Sequence, residues 1–450
     1  DRLSGTELGD YLVKVYAGQV RTALKPQYVD KLPAVVKGVA RDLLSRVAER
    51  MTVDEAASLL DLTGVIDRPL EKLSGGELQR VAIAATLMKD ADVYFFDEPS
   101  SYLDIYQRIR MARLIQNLAA EKQVVVIEHD LAILDFMADN AYLVYGSEGA
   151  YGVFAQPRQV RTAINTYLDG YMREENIRFR DTSIRFESHP PRDTVEMVTL
   201  MDFGDLECDY KQFRLKVDGG SIKIGESVGV VGPNAIGKTT FVKMLAGVQE
   251  PTAGKLDKSA KVSYKPQYIS PDFDGTVREL FETTAYEFFQ SGFFESEIAH
   301  PLALRRLYEK NVMNLSGGEL QRMSIALCLS KEADIYLLDE PSAYLDSNQR
   351  MEAAKTIRRV MEKKGRSALI VDHDIYFLDM VSDSMMVFRG TPGVEGTAGG
   401  PYEMRHGMNM FLEDIDVTFR RDNDTNRPRI NKPGSRLDRE QKERGEYYYS

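Results

Sequence analysis

Short apolar runs that end in glycine or in acidic residues recur along the chain. The run Ser227–Gly232 reads SVGVVG, and its β-branched residues bounded by glycine predict a buried parallel strand. An amphipathic segment, FVKMLAG, follows and stops at Gly247, which predicts a helix. The run Ile335–Glu340 reads IYLLDE and predicts a second buried strand. Both predicted strands therefore end at residues that can carry chemistry.

These runs belong to a sequence repeat. KPQYV at Lys25–Val29 returns as KPQYI at Lys265–Ile269, 240 residues later. LSGGELQR occurs at Leu73–Arg80 and again at Leu315–Arg322, 242 residues later. VYFFDEPSSYLD and VVVIEHD return as IYLLDEPSAYLD and ALIVDHD, at offsets of 242 and 244 residues. Blocks that keep one order at a nearly constant offset indicate a tandem duplication.

A phosphate-binding loop occurs only in the second copy. GPNAIGKTT, at Gly232–Thr240, lies between the predicted strand and the predicted helix, which is the context that such a loop requires. Its backbone N–H groups would cradle the β-phosphate, Lys238 would bridge the β- and γ-phosphates, and Thr239 would give a hydroxyl to Mg²⁺. The equivalent loop of the first copy would precede Asp1, so we interpret the chain as truncated rather than as a natural half-site protein.

Acidic residues and histidines follow the other apolar runs. Asp339 suits the magnesium shell, and Glu340 is placed to orient or deprotonate an attacking water. Asp97 and Glu98 form the same pair in the first copy. A lone histidine is more often structural, but two histidines, which occupy equivalent repeat positions, favour a γ-phosphate contact. These two are His129 and His373.

The repeated octapeptide allows two interpretations. Ser74 with Glu77, and Ser316 with Glu319, fit a capping box that starts a helix. The two glycines between them would leave the helix N-terminus bare, and bare N–H groups form an anion site. Both interpretations can hold, and the spacing does not show which phosphate the serine would meet.

Composition excludes several classes of protein. The 450 residues predict two or three domains, 43% are hydrophobic, and no apolar run approaches the ~18 residues of a membrane span. Cys208 and Cys328 are too few for a disulfide framework or a cysteine-ligated cluster, which indicates a reducing cytosol. The net charge of −11 argues against a generally basic surface. The basic segment Arg420–Arg444 predicts either a solvated tail or a poorly helical arm that contacts phosphate backbones.

Together these motifs resemble the ABC-type ATPases, in which LSGGE is the signature. The resemblance implies an α/β fold with tandem nucleotide-binding domains, each a P-loop NTPase core with a helical signature subdomain, arranged as a head-to-tail pseudo-dimer. Each ATP would lie between one domain's phosphate loop and the other's signature. One site would be complete here, and the phosphate loop of the other is not in the chain.

This family assigns roles to residues that match its motifs. We expect catalysis to depend on Glu340, His373, Glu98 and His129. We expect ATP to contact Gly232, Asn234, Gly237, Lys238, Thr239, Thr240, Gln267, Ser74, Gly75, Gly76, Ser316, Gly317, Gly318, Gln27, Asp104, Asp346 and Tyr210. We expect Mg²⁺, bound through ATP, at Thr239, Gln267, Asp339, Gln27 and Asp97. Ala235 departs from the family, whose loop usually has glycine there, and its methyl would crowd the backbone if that position needs positive φ.

Further segments are similar to the E subfamily, the ribosome-recycling ATPases of archaea and eukaryotes. They are the ELQR extension of the signature, INTYLDGYMREENIRFRD between the repeats, and the chain's last 32 residues. The resemblance implies splitting of ribosomes, after termination or rescue, by ATP-driven closure of the twin domains. Expected partners are the ribosome (its small subunit and rRNA) and a release factor or Pelota-like factor in the cytoplasm, with no membrane or DNA partner.

The same resemblance divides the chain into four parts. These are a truncated first nucleotide-binding domain (1–164), a first hinge (165–195), a second nucleotide-binding domain (196–408) and a second hinge (409–450). Ser4–Leu24 resembles part of the family's helix–loop–helix insertion, and iron–sulfur clusters are expected only in a missing N-terminal domain. The alternatives are an F-subfamily translation ATPase, whose long charged helical linker differs from the irregular Pro190–Pro191 region here, and the ATPase subunit of an ABC transporter.

Overall fold

A computed structural model describes residues 6–147, 151–180, 183–186, 198–257, 259–269 and 271–448. The chain forms two compact units, residues 1–139 and 140–450. Pro190 and Pro191, and with them the predicted irregular linker, lie outside the described residues.

The first unit is a three-stranded parallel sheet with helices. The strands are β1 (Thr22–Lys25), β2 (Val93–Asp97) and β3 (Gln123–Ile127), in that spatial order. The helices are α1 (Glu7–Tyr16), α2 (Leu32–Val35), α3 (Ala40–Ser45), α4 (Val53–Leu59), α5 (Gly75–Leu87), α6 (Ile105–Ala119) and α7 (Leu131–Met137), with a 3-10 turn at Leu70–Lys72. Within the predicted helix–loop–helix region the structure has one helix, α1, and then the start of β1.

The second unit is built on an eight-stranded mixed sheet. It begins with small antiparallel pairs and one helix: β4 (Asn140–Ala141), β5 (Val144–Ser147), β6 (Tyr151–Phe154), β7 (Arg158–Gln159), α8 (Val160–Asp169), β8 (Tyr171–Met172) and β9 (Ile177–Arg178). The strands that follow are β10 (Thr199–Phe203), β11 (Leu206–Tyr210), β12 (Phe213–Val217), β13 (Gly220–Lys223), β14 (Ser227–Val231), β15 (Val262–Lys265), β16 (Ile335–Asp339), β17 (Ser367–Val371), β18 (Ser384–Thr391), β19 (Glu395–Glu403), β20 (Phe419–Arg421) and β21 (Pro428–Ile430). The large sheet has the order β11-β12-β19-β18-β14-β17-β16-β15.

The second unit also contains the helices that follow β13 in the chain. They are α9 (Lys238–Leu245), α10 (Val277–Phe289), α11 (Gly292–Phe294), α12 (Gly317–Ser330), α13 (Ser347–Lys364), α14 (Ile375–Val381), α15 (Met404–Asp414) and α16 (Arg436–Arg444). A π turn spans Glu295–Ala299, and 3-10 turns span Leu304–Leu307 and Val312–Asn314. The strands β15, β16, β17, β14 and β18 run parallel, so the loops after their carboxyl ends meet at one edge. The α/β class is confirmed, and the two strands predicted from apolar runs are β14 and β16.

One sheet face differs between the two units. In the second unit Leu337, Leu369 and Val371 are fully buried in a core that also contains Phe241 of α9. The repeat-equivalent residues of the first unit, Phe95, Val125 and Ile127, are 37%, 48% and 55% exposed. Among the described residues of the first unit no helix takes the place of α9. The helix α9 therefore covers an apolar face of the sheet in the second unit.

The basic segment near the C-terminus contradicts the expectation of a solvated tail or poorly helical arm. It folds as β20, β21 and the nine-residue helix α16. Arg427 is fully buried, and its guanidinium donates to the Tyr376 hydroxyl at 2.7 Å and to Asn165 Oδ1 at 3.2 Å. Arg421 makes two hydrogen bonds to the carboxylate of Asp379, at 2.7 and 2.9 Å. The net charge was a poor guide because these arginines have partners within the fold: Asn165 on α8, and the buried residues Tyr376 and Asp379 on α14.

We predict that Arg427→Met lowers the free energy of unfolding by about 3 kcal/mol, since it leaves buried polar partners without their donor. Arg436, whose side chain is 89% exposed, gives the control, and Arg436→Met should change it by less than about 0.5 kcal/mol. Urea unfolding followed by circular dichroism measures both. Equal effects of the two substitutions would show that the C-terminal segment is not an integrated part of the unit.

Candidate active site

The loop between β14 and α9 needs two glycines. Gly232 has φ +147°, and a Cβ there would lie 2.6 Å from the Phe388 carbonyl oxygen. Gly237 has φ +102°, and a Cβ there would lie 2.9 Å from a Leu215 methyl group. Lys238 turns back over the loop, and its Nζ donates to the carbonyl oxygens of Gly232 and Pro233 at 2.8 and 2.6 Å. A glycine-containing loop with a lysine across it at the start of a helix can receive a phosphate chain.

Ala235 lies at the exposed tip of this loop with φ +57°. The position at which the family usually has glycine is therefore one that needs the left-handed conformation. A left-handed alanine costs roughly 1–2 kcal/mol. The loop tolerates this cost because the Ala235 carbonyl accepts a hydrogen bond from the Gly393 N–H at 2.9 Å. The Ala235 methyl group is therefore compatible with the left-handed conformation of the loop.

Thr239 and Asp339 meet at the end of β16. The Thr239 hydroxyl donates to Asp339 Oδ2 at 2.9 Å. The other carboxylate oxygen, Oδ1, is buried and has no hydrogen-bond partner among the described residues. Burial raises the pKa of Asp339 to about 6. A divalent cation fits here, because it would satisfy the buried oxygen and favour the ionised carboxylate.

The rest of a magnesium shell must come from elsewhere. No group of three or more His, Cys, Asp or Glu side chains in the described part of the chain could hold a metal ion. Magnesium usually keeps several waters and binds through one or two protein oxygens together with substrate phosphates. The Thr239 and Asp339 oxygens match that requirement, so ATP would supply the remaining ligands.

Glu340 is the first residue beyond β16 and has a strained backbone, with φ +48°. Its Oε1 accepts a hydrogen bond from Gln267 Nε2 at 2.7 Å and lies 3.5 Å from His373 Nε2. Burial acts to raise the pKa of Glu340, but the hydrogen bond from His373 and the electrostatic interaction with it outweigh burial, and the pKa falls to about 2. The carboxylate is therefore ionised at neutral pH, as a group that orients or activates water must be.

The first unit repeats this geometry. Glu98 has φ +46°, and its Oε1 accepts from Gln27 Nε2 at 2.7 Å and lies 3.3 Å from His129 Nε2. The hydrogen bond from His129 lowers the pKa of Glu98. Asp97 ends β2, as Asp339 ends β16. The structure thus brings together the predicted site residues of the first unit, which are Gln27, Asp97, Glu98 and His129.

The signature segments start α5 and α12 with capping boxes. Glu77 N–H donates to Ser74 Oγ at 3.3 Å, and Glu319 N–H donates to Ser316 Oγ at 3.4 Å. The capping interpretation is confirmed, and the phosphate contacts of these segments stay predictions. The glycines also have a structural reason, since a Cβ on the second glycine of each signature would lie 2.9 Å from a tyrosine carbonyl oxygen. These residues are Gly76 against Tyr102 and Gly318 against Tyr344.

The remaining residues that were predicted to contact ATP have structural roles within their own units. Asp104 and Asp346 cap α6 and α13, accepting from the N–H groups of Gln107 and Gln349 at 2.9 and 2.8 Å. Tyr210 ends β11, is 45% exposed, and its hydroxyl accepts a hydrogen bond from Gln249 Nε2. Gly75 and Gly317 pack against the rings of Tyr102 and Tyr344, and Asn234 lies half-buried in the loop.

Our reading of the sequence missed a set of buried polar residues behind the two glutamates. They are Lys25, Gln79, Lys265 and Gln321, whose side chains are at most 1% exposed. Burial lowers the pKa of each lysine to about 8. Their signal was present in the repeat, since KPQ and ELQR occur in both copies, but nothing in the spacing shows which carbonyl groups they contact.

Comparison with known proteins places the chain in a family. The ABC transporter family model matches residues 14–101 and 215–343. An ABC transporter ATP-binding protein of Methanocaldococcus jannaschii is 50% identical over 447 residues, which are 99% of this chain and 74% of that protein. The solved structure of the archaeal ribosome recycling factor aABCE1, in complex with the ribosomal stalk protein aP1, is 52% identical. It matches with a TM-score of 0.96 and covers 100% of this chain and 87% of its own. The chain belongs to the E family of ABC-type ATPases.

A second matched structure of the E family shows ribosome-bound archaeal Pelota and ABCE1. It is 52% identical to this chain, with a TM-score of 0.93, and covers 100% of this chain and 76% of its own. In the described part of the present chain, no helix is long and apolar enough to cross a membrane. Membership of this family establishes ATP as the substrate class and hydrolysis as the reaction, and the individual residue roles above stay predictions.

The raised pKa of Asp339 predicts a stability effect of defined sign. The carboxyl of Asp339 has its ordinary pKa of 3.8 in the unfolded chain and a pKa of about 6 in the folded chain. Ionisation of this carboxyl therefore lowers the free energy of unfolding, by an amount that grows from about pH 4 to pH 6 and is complete above pH 6. We predict that Asp339→Asn, without Mg²⁺ or ATP, raises the free energy of unfolding at pH 7.5 by about 2 kcal/mol. Below pH 4 the difference should vanish.

Urea unfolding of both proteins at pH 7.5 and pH 4 measures this difference. Adding Mg²⁺ and ATP at pH 7.5 should stabilise the wild-type chain more than the variant. An asparagine variant that is less stable than wild type at pH 7.5 without Mg²⁺ would contradict the burial of an uncompensated carboxylate.

Proposed function

We propose that this chain hydrolyses ATP at the phosphate loop 232–240 and uses the cycle to recycle ribosomes. The observation that carries the proposal is the joint placement of Thr239 with Asp339 and of Gln267 and His373 with Glu340, in a chain of the E family. The loop N–H groups and the N-terminus of α9 would bind the β-phosphate, and the Lys238 ammonium would leave its loop carbonyls for phosphate oxygens.

Each remaining residue has one proposed task. Thr239 and Asp339 would hold Mg²⁺, which neutralises phosphate charge when bound. Glu340, already ionised, would orient the attacking water and take its proton, with Gln267 fixing the carboxylate. His373 would contact the γ-phosphate. The products are ADP and phosphate, and Gln27, Glu98 and His129 of the first unit would act in the same way at a second site.

The ribosome is the partner that the matched structures favour. Those structures carry a ribosomal stalk protein or ribosome-bound Pelota, and this chain is 52% identical to both recycling factors. We propose the small ribosomal subunit, its rRNA and a release factor or Pelota-like factor as partners in the cytoplasm, with ATP-driven closure of the twin domains as the moving step. An F-subfamily translation ATPase and a transporter subunit are disfavoured by the same comparison.

We predict that Glu340→Gln lowers the rate of phosphate release at least 100-fold while ATP binding changes less than about threefold, because the amide cannot accept the water proton. Phosphate release and titration with a fluorescent ATP analogue measure the two quantities. Glu309→Gln, at a glutamate whose side chain is 77% exposed, is the matched control. Near-normal turnover in Glu340→Gln would remove Glu340 from its proposed role.

Association with ribosomal subunits tests the wider function. With Mg²⁺ and a non-hydrolysable ATP analogue, we expect about tenfold more of the chain to sediment with isolated small subunits than with Mg²⁺ and ADP, because ATP must favour the bound state. Lys238→Ala should abolish the difference. Equal sedimentation with the analogue and with ADP would contradict nucleotide control of ribosome binding.

A further inference from the structure

Two buried side chains reach the backbone of Glu340 from behind. Lys265, the last residue of β15, is 1% exposed, and its Nζ donates to the carbonyl oxygens of Asp339 at 2.7 Å and Glu340 at 3.3 Å. Gln321, on α12, is also 1% exposed, and its Nε2 donates to the Glu340 carbonyl oxygen at 2.6 Å. The carbonyl of Glu340 therefore receives donors from two different elements.

The first unit contains the same arrangement. Lys25 Nζ donates to the carbonyl oxygens of Asp97 and Glu98 at 2.8 and 3.2 Å. Gln79 Nε2 donates to the Glu98 carbonyl oxygen at 2.8 Å. Both units thus use a lysine that ends a strand and a glutamine on the signature helix to hold one carbonyl.

Packing alone does not account for these side chains. Burying an ammonium group is costly even when it is hydrogen-bonded, and an apolar side chain of similar length would fill the same space at less cost. Their contacts go to the end of the Asp–Glu strand, where the glutamate (Glu98 or Glu340) has a left-handed conformation. A left-handed glutamate costs of order 1–3 kcal/mol and persists only where its surroundings over-determine it.

The other side of the Glu340 peptide is fixed as well. Its N–H donates to the Val371 carbonyl oxygen of β17 at 2.8 Å. With N–H and C=O both held, rotation of the backbone at Glu340 breaks several hydrogen bonds at once. Such a rotation would also carry the carboxylate away from Gln267 and His373, which contact it directly.

We propose that Lys265 and Gln321 are positioning residues for hydrolysis, which clamp the Glu340 carbonyl so that its carboxylate is aimed at the attacking water. Both side chains are buried behind the Glu340 backbone, and the inference rests on the proposed role of Glu340. It also links the signature helix to the hydrolytic centre of its own unit, because Gln321 lies on α12, five residues after the N-cap Ser316.

Two substitutions, made singly and together, test the clamp. Lys265→Met and Gln321→Leu remove the donors and leave an apolar side chain of similar bulk. Each should lower kcat for ATP about 10- to 100-fold, as expected for a misplaced catalytic group, with KM for ATP changed less than about twofold. The double variant should be little worse than the poorer single variant, because the two residues act on one carbonyl.

Lys364→Met is the matched control. Lys364 is also partly buried, donates to a backbone carbonyl (Leu329, 2.8 Å) and lies 4.3 Å from the centre of the Phe288 ring, away from Glu340. It should lower the melting temperature but leave kcat within about twofold of wild type. If Lys265→Met does not fold, the kcat of Gln321→Leu is compared with that of Lys364→Met to test the proposal.

The inference is overturned if both Lys265→Met and Gln321→Leu keep the kcat of Lys364→Met, or if they raise KM without lowering kcat. Glu340→Gln, assayed beside them, separates this failure from that of the proposed function. If Glu340→Gln is inactive while Lys265→Met and Gln321→Leu are active, only the positioning role of Lys265 and Gln321 is rejected. If Glu340→Gln is active, the hydrolytic role of Glu340 is rejected.

Discussion

In both units the chain turns into a left-handed conformation at the glutamate that ends the Asp–Glu strand, and the site is organised around that turn. The φ values, +46° at Glu98 and +48° at Glu340, are nearly identical. A regular strand would send this side chain to one face of the sheet and the next residue to the other. The turn instead leaves Asp339 buried against Thr239 and brings Glu340 to Gln267 and His373. The two adjacent carboxylates thus have different partners, which is the basis of the separate tasks proposed for them.

The two carboxylates also differ in charge behaviour for reasons of position. Asp339 has one buried oxygen without a partner among the described residues, and burial raises its pKa to about 6. Glu340 has a histidine and an amide beside it and stays ionised. A bound cation would satisfy the buried oxygen of the first, whereas the second already has its partners. This contrast matches the roles proposed for them, in which Asp339 binds metal and Glu340 accepts a proton.

Much of this could be predicted from the sequence because the signals are local. The apolar runs Ser227–Val231 and Ile335–Asp339 are buried strands as predicted, and S-x-x-E started both signature helices. The C-terminal basic segment was misjudged because the buried partners of Arg427 come from residues 51 and 262 positions away. The role of Lys265 could not be predicted from the sequence for the same reason. Its acceptors, the carbonyl oxygens of Asp339 and Glu340 at the end of β16, lie 74 and 75 positions along the chain.

The most direct measurement is a crystal structure of the Glu340→Gln chain with Mg²⁺ and ATP. We predict the phosphate chain in the 232–240 loop, Mg²⁺ about 2.1 Å from the Thr239 hydroxyl oxygen, and a water between the γ-phosphate and the residue-340 side chain. The left-handed turn should be retained. A nucleotide bound elsewhere, or a residue-340 side chain turned away from the γ-phosphate, would contradict the account.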